Sequence, residues 1–207
     1  MLSYDLLQAS DVETMVRLLA TTFSRAEPPA VAMQVSNDEL AAFVNLLAPR
    51  AVDDGLTVVA REQSGELVGV MLTDDFDAPS PIDPHLVSER LLPILAMLDA
   101  LDAQYRQGRA TVHGEHLHLF MLAVDARFMG RGIAQRLVET CIDNGKKKGY
   151  RHAVTEATGV ISQRVFRKLG FEERCRVSYR DFRYGGETVF ASIVGHDGAA
   201  LMTRTLC

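Results

Sequence analysis

Two glycines two residues apart, Gly130 and Gly132, sit between an unbroken apolar run and a segment with helical spacing. The segment reads Leu122-Ala123-Val124-Asp125-Ala126-Arg127-Phe128-Met129-Gly130-Arg131-Gly132-Ile133-Ala134. A buried strand that turns on glycines into a helix start leaves free N–H groups at the positive end of the helix dipole, which is an anion site that a pyrophosphate would fit. A nucleoside-triphosphate loop would need Gly-Lys-Ser/Thr here, which is absent. A dinucleotide fingerprint would need a third glycine where Gln135 stands. Two histidines, His116 and His118, alternate onto one face of the strand that leads into this loop, and a neutral imidazole titrates in the range useful for a base. The run Lys146-Lys147-Lys148 with Arg151 reads as a solvated helix end, where cations complement the dipole.

The elements that must position these groups follow from patterning. Leu2–Leu7 reads as a strand, and Ser10-Asp11 cap a helix that Pro28-Pro29 closes. A second helix follows Ser36-Asn37-Asp38 and ends near Pro49. Leu56–Arg61 and Leu67–Leu72 form a hairpin about Gln63-Ser64-Gly65. Residues 76–114 read as a helical insertion, with a helix over Leu86–Gln107 kinked at Pro93, which either covers the sheet or walls a substrate pocket. Strand His116–Val124, helix Gly132–Lys148, strand His152–Thr155, helix Thr158–Leu169 capped by Gly170, strand Phe171–Phe182 and strand Ala200–Leu206 complete the chain. This order predicts a mixed sheet with helices on its faces.

Composition narrows the function. A chain of 207 residues, 47% hydrophobic and 24% charged, suits one domain with a sizeable core. A formal charge of −5 argues against a nucleic-acid partner. Three scattered cysteines, Cys141, Cys175 and Cys207, fit free thiols in a reducing compartment and offer neither a disulfide framework nor a metal site. With no apolar run of about 18 residues and no signal-like N-terminus, a cytoplasmic protein without a membrane partner is expected. The apolar helix over Leu86–Leu101 would serve a homodimer interface.

The strand, the acidic residue after Val124, the aromatic Phe128 and Gly-x-Gly-Ile-Ala together resemble the acyl-CoA motif of the GNAT superfamily. Ser162-Gln163-Arg164-Val165-Phe166-Arg167-Lys168-Leu169-Gly170-Phe171 is similar to that family's second signature helix. The resemblance is specific over Leu117–Phe171 and looser elsewhere. It implies one N-acetyltransferase domain over 1–207, with a mostly antiparallel central sheet and helices on both faces. It also implies an acetyl-CoA co-substrate and no metal. Amides of Met129, Gly130, Arg131, Gly132, Ile133 and Ala134 would cradle the pyrophosphate. The backbone of Leu122, Ala123 and Val124 would pair with the pantetheine arm, one N–H polarising the thioester, and Thr158, Ser162 and Lys168 would lie along the coenzyme. Met129 stands where the family has Gln or Arg, and Phe166 where it commonly has a tyrosine that protonates the leaving thiolate.

Acetylating an amine needs a base, because an alkyl amine of pKa near 10 is unprotonated in only about one molecule in a thousand at neutral pH, a cost of roughly 4 kcal/mol. The setting Arg25-Ala26-Glu27-Pro28 resembles the Glu-Pro element of insect-type arylalkylamine N-acetyltransferases, which implies Glu27 as base with Thr158 and Ser162 as nearby hydroxyls. The His-Leu-His run at His116–His118 resembles the vertebrate type and offers His118 instead. The expected reaction is direct transfer to a small primary amine in a ternary complex, with Ser162 protonating the thiolate. The alternative is a noncatalytic acyl-CoA sensor or interaction module on the same fold. Asp74, Asp75 and Asp77 would favour cationic acceptors.

Overall fold

The computed structural model describes residues 2–108 and 112–206. The end of the predicted insertion at 109–111 and Cys207 therefore lie outside the described residues. The chain runs β1 (Ser3–Leu6), α1 (Val12–Ala26), α2 (Pro28–Ala32), α3 (Asn37–Asp53), β2 (Val58–Arg61), β3 (Leu67–Asp75), α4 (Leu92–Arg106) and β4 (His116–Val124). It continues with α5 (Ile133–Lys147), β5 (His152–Ala157), α6 (Val160–Lys168), β6 (Glu172–Ser178) and β7 (Gly198–Thr205). The strands form one seven-stranded sheet in the order β1-β2-β3-β4-β5-β7-β6. Every neighbouring pair is antiparallel except β4–β5. The mixed, mostly antiparallel sheet with helices on both faces is thus the observed architecture.

Alternation along the strands divides the core in two. Val70, Leu72, Met121, Ala123 and Val154 meet the apolar stripes of α1, α3 and α4 on one face. Met71, Leu117, Leu119, Ala153 and Met202 meet Ile133, Leu137, Cys141 and Phe166 of α5 and α6 on the other. Close approach of α5 depends on Gly69 of β3, where a Cβ would come within 3.0 Å of Leu137 Cδ1. No helix among the described residues is long and apolar enough to cross a membrane.

Prolines account for the differences among the helices. Pro28-Pro29 end α1 but also open α2, since the first helical turn needs no N–H donors. Pro93 likewise sits in the first turn of α4, so the helix begins at Leu92 instead of kinking within a longer one from Leu86. Pro49 lies inside α3, which runs on to Asp53 because Ala48 and Ala51 are buried against the core and outweigh the lost hydrogen bond. The strand expected to reach Phe182 stops at Ser178, and the next residues turn, with Phe182 N–H donating to Ser178 C=O.

Candidate active site

The one parallel contact in the sheet is short. β4 and β5 pair only through His116–His118 against His152–Val154, and the last link is Thr155 Oγ1 donating to Leu119 C=O at 2.8 Å. Beyond it the strands part, β4 following β3 and β5 following β7. At the fork β4 carries a bulge. Leu72 opposes Met121 while Thr73 opposes Leu119, so Phe120 is the extra residue, bending the strand as such insertions do. On the freed edge from Phe120 to Val124, alternate residues turn their N–H and C=O away from β3 and into the gap.

A cavity of about 310 Å³ opens at this fork. Its apolar wall includes Phe23, Phe43, Ile94, Leu95, Leu98 and Phe120. Leu122, Val124, Met129, Ala134, Thr158 and Ser162, all predicted coenzyme residues, border the same space. Ala123 points to the opposite face and is buried there, so it can contribute only its backbone.

After Val124 the chain makes a turn over Ala126–Phe128 and enters α5 through Gly130 and Gly132, both at positive φ (77° and 75°). A Cβ at Gly130 would meet nothing within 4 Å, so backbone conformation, not room, requires glycine there. Gly132 is the N-cap of α5 and has no side chain to satisfy the first-turn amides. Ile133 anchors the loop in the core at 2% exposure, whereas Met129 is 66% exposed. Arg127 is held by Asp125 and Glu66, and the Arg131 guanidinium lies 5.0 Å from the centre of the Phe128 ring. Lys168 is in the last turn of α6 while Ser162 is in the first, so the structure brings only Ser162 to the cavity.

Glu27 occupies the break between α1 and α2. As N-cap of α2 its Oε2 accepts from the Ala30 N–H at 2.6 Å, while its buried Oε1 has no partner. Burial pushes its pKa up to about 7, against the opposing pull of the Thr158 hydroxyl and the Ala30 amide. Thr158 is fixed from behind by Tyr179, whose hydroxyl donates to the Thr158 C=O. Ser162 is tied into the turn that starts α6, donating to Gly159 C=O at 2.8 Å and accepting from Gly159 N–H at 3.2 Å.

The two histidines go elsewhere. His118 donates from Nδ1 to Asp74 and from Nε2 to Glu156, each at 2.8 Å. Burial alone would lower its pKa, but the charges of Glu156 and Asp74 win and raise it well above the ordinary value. Both ring nitrogens of His118 are thus engaged by carboxylates, and its side chain is not part of the cavity lining. His116 bonds Asp77 at 2.9 Å and stacks on His152, away from the cavity. Asp74, Asp75 and Asp77, expected to face cationic acceptors, are committed to His118, to the Gly114 N–H, and to His116 with Arg106.

Two ionisable cavity residues, His196 and Glu156, carry no signal in the sequence. His196 accepts the Val160 N–H on Nδ1 at 3.1 Å and stands beside Gly159; no pattern near it marked it out. Glu156, in the middle of β5, was passed over because an isolated acidic residue in a strand has no motif.

The family model described as "Acetyltransferase (GNAT) family" matches residues 13–171. Among solved structures, the chain is similar to the C-terminal condensation domain of Ebony in complex with beta-alanyl-dopamine (TM-score 0.91, 13% identity, 99% of each chain covered). It is also similar to arylalkylamine N-acetyltransferase 2 from Aedes aegypti (0.79, 21%, 100% and 99%) and to polyamine N-acetyltransferase from Drosophila melanogaster (0.81, 20%, 100% of both). At these identities the structures establish a shared fold.

Proposed function

Because the chain belongs to the acetyltransferase (GNAT) family, whose enzymes depend on acetyl-CoA, we propose that it acetylates a small primary amine by direct attack within a ternary complex, with Glu27 as the base. The observation that carries this reading is the unpartnered, buried Oε1 of Glu27 in the wall of the cavity at the β4–β5 fork. A carboxylate with a pKa near 7 is half ionised at neutral pH and binds a proton more strongly than an ordinary one. That poise suits the removal of a proton from an ammonium, a contribution of about 100- to 10,000-fold.

In this reading the pyrophosphate of coenzyme A lies on the amides from Met129 to Ala134, and the pantetheine arm extends along the freed edge of β4. An N–H of the bulged segment, Phe120 to Val124, polarises the thioester carbonyl. The amine gives its proton to Glu27, the C–N bond forms, and the C–S bond breaks. A thiolate whose acid has a pKa near 8.5 departs without a strong proton donor, so Phe166 in place of a tyrosine is tolerable. Ser162, in the cavity wall, turns its hydroxyl from the Gly159 C=O to donate a hydrogen bond to the thiolate.

The acceptor side is mostly apolar, built from α1, α3 and α4, which supports an amine on an apolar body. The arylalkylamine and polyamine enzymes that share the fold are consistent with that class. Among the described residues no cysteine faces the cavity to form a covalent acyl-enzyme: Cys141 is buried in the core with its thiol pushed up to about 12, and Cys175 lies outside the cavity lining. The test is thiol release from acetyl-CoA across a panel of primary amines. Turnover that requires Glu27, with no labelled protein after coenzyme is removed, supports the reading. Binding of coenzyme without turnover on any amine overturns it.

A further inference from the structure

The cavity wall holds a second carboxylate that acetyl transfer, as described, does not use. Glu156 lines the cavity, its side chain is only 4% exposed, and its Oε1 has no partner. Its Oε2 is bonded to His118, which is bonded in turn to Asp74. Behind it stands Asp102 of α4, whose Oδ1 is also buried and unpartnered. The two carboxyl groups are close enough to share a proton.

Charge bookkeeping shows what is missing. The groups facing this spot are Asp74 from β3, His118 from β4, Glu156 from β5, Asp102 and Arg106 from α4, and the Cys175 thiol from β6. Arg106 is already committed to Asp77 and to the Phe76 C=O, each at 2.8 Å, and Cys175 donates to the Leu101 C=O. One imidazolium therefore serves three carboxyl groups. Burial, then the neighbouring Glu156, pushes Asp102 up, so a proton fills the place of a second cation. Glu156 Oε1, at the edge of an otherwise apolar cavity and met there by no donor other than the proton it shares with Asp102 behind it, matches a ligand with an alkyl stem and a charged head.

We propose that Glu156, backed by Asp102, is a subsite for a primary ammonium group carried by one of the two substrates, apart from the amine that reacts. This rests on the acetyl-transfer reading above. The ammonium has two possible sources, a diamine acceptor or an aminoacyl donor. Its arrival displaces the proton held between Asp102 and Glu156, leaving an ammonium against two carboxylates.

Two matched pairs of substrates separate the sources. With acetyl-CoA, 1,5-diaminopentane is compared with pentylamine. With phenethylamine as acceptor, β-alanyl-CoA is compared with the nearly isosteric butanoyl-CoA. The wild-type protein is expected to favour the cationic member of one pair by at least about tenfold in kcat/KM, since buried polar groups left unpaired discriminate strongly. That ratio should fall towards one in Glu156→Gln and in Asp102→Asn. The second variant guards against damage to the His118 contact. Calorimetry of the favoured cationic compound (the diamine on coenzyme-loaded protein, or β-alanyl-CoA on protein without coenzyme), in two buffers of different ionisation enthalpy, should show release of a proton near neutral pH.

Brisk turnover with ratios near one in both pairs, or unchanged ratios in both variants, overturns the subsite and leaves acetyl transfer standing. The pair would then simply hold a proton. Absence of thiol release with every amine overturns the acetyl-transfer reading itself, and the subsite with it.

Discussion

Replacing Glu27 by glutamine should remove activity and, at alkaline pH, make the protein more stable. The two effects have one origin. Burial raises the Glu27 pKa from the ordinary 4.5 to about 7, so the folded state holds this proton more tightly than the unfolded chain does. Stability from that preference is complete below about 4.5 and is lost as the pH rises through about 7. At 1.36 kcal/mol per tenfold, ionised Glu27 costs the fold about 3 kcal/mol at pH 9 relative to acid pH. Glutamine keeps an oxygen for the Ala30 N–H and never ionises, so Glu27→Gln should match the wild type near pH 4 and exceed it by up to about 3 kcal/mol at pH 9. At about 2–4 °C per kcal/mol for a chain of this size, that is a gain of roughly 6–12 °C in Tm. In the wild type, log kcat/KM for the amine should gain an extra unit of slope below about pH 7, over the slope set by the amine itself. The variant should lose that extra slope and about 100-fold or more in rate. Thermal melts at pH 5 and pH 9 and thiol-release kinetics between pH 5.5 and 9 read both effects. A variant with wild-type kcat/KM, or one no more stable at pH 9 than at pH 5 relative to wild type, refutes the argument that a buried, ionising Glu27 is the base.

Gly132→Ala should weaken coenzyme A binding by about tenfold in calorimetry, because a side chain at φ 75° costs about 1–2 kcal/mol and the added Cβ meets nothing nearer than Gln135 Oε1 at 3.9 Å. Gly145→Ala places a Cβ 2.6 Å from Leu117 Cδ2, so denaturant melts should show a loss of about 1–3 kcal/mol while turnover per folded molecule is kept. Tyr179→Phe removes the donor to the Thr158 C=O, and should cost about 1 kcal/mol in stability and raise KM for the amine more than it lowers kcat. Phe166→Tyr should change kcat by no more than about threefold, as measured by single-turnover thiol release, because the thiolate leaves without help.

The glycine loop was legible because its signal is local. Gly130 and Gly132 hold positive φ, a constraint the chain satisfies with a residue type, so the loop and its helix can be read from neighbours in sequence. The Glu-Pro step was legible for the same reason: proline cannot continue α1 but can begin α2, and the residue between them must be an N-cap. The setting of His118 was not legible, because nothing local says what an imidazole faces. Its charge is set by Asp74 and Glu156, 44 and 38 residues away, brought together only by the β3–β4–β5 register. Glu156, Asp102 and His196 were missed on the same ground. Each matters through what the fold places beside it.

That difference follows the two faces of the sheet. The coenzyme loop leads into α5 and packs on the core shared with α6. Glu27, the apolar acceptor wall and Asp102 belong to α1, α3 and α4, over the other core. The two sets meet where β4 leaves β5, around the cavity that both line. Substitutions in Phe23, Phe43, Ile94 or Leu98 can reshape the acceptor space without disturbing Ile133 or the glycine turn, because mutations without shared packing partners act nearly additively. On the proposed reading, coenzyme binding rests on short-range backbone demands, while the choice of amine is free to change with side chains far apart in sequence. This is why the sequence could point to the glycine loop and only the folded chain could point to the cavity beside Glu27.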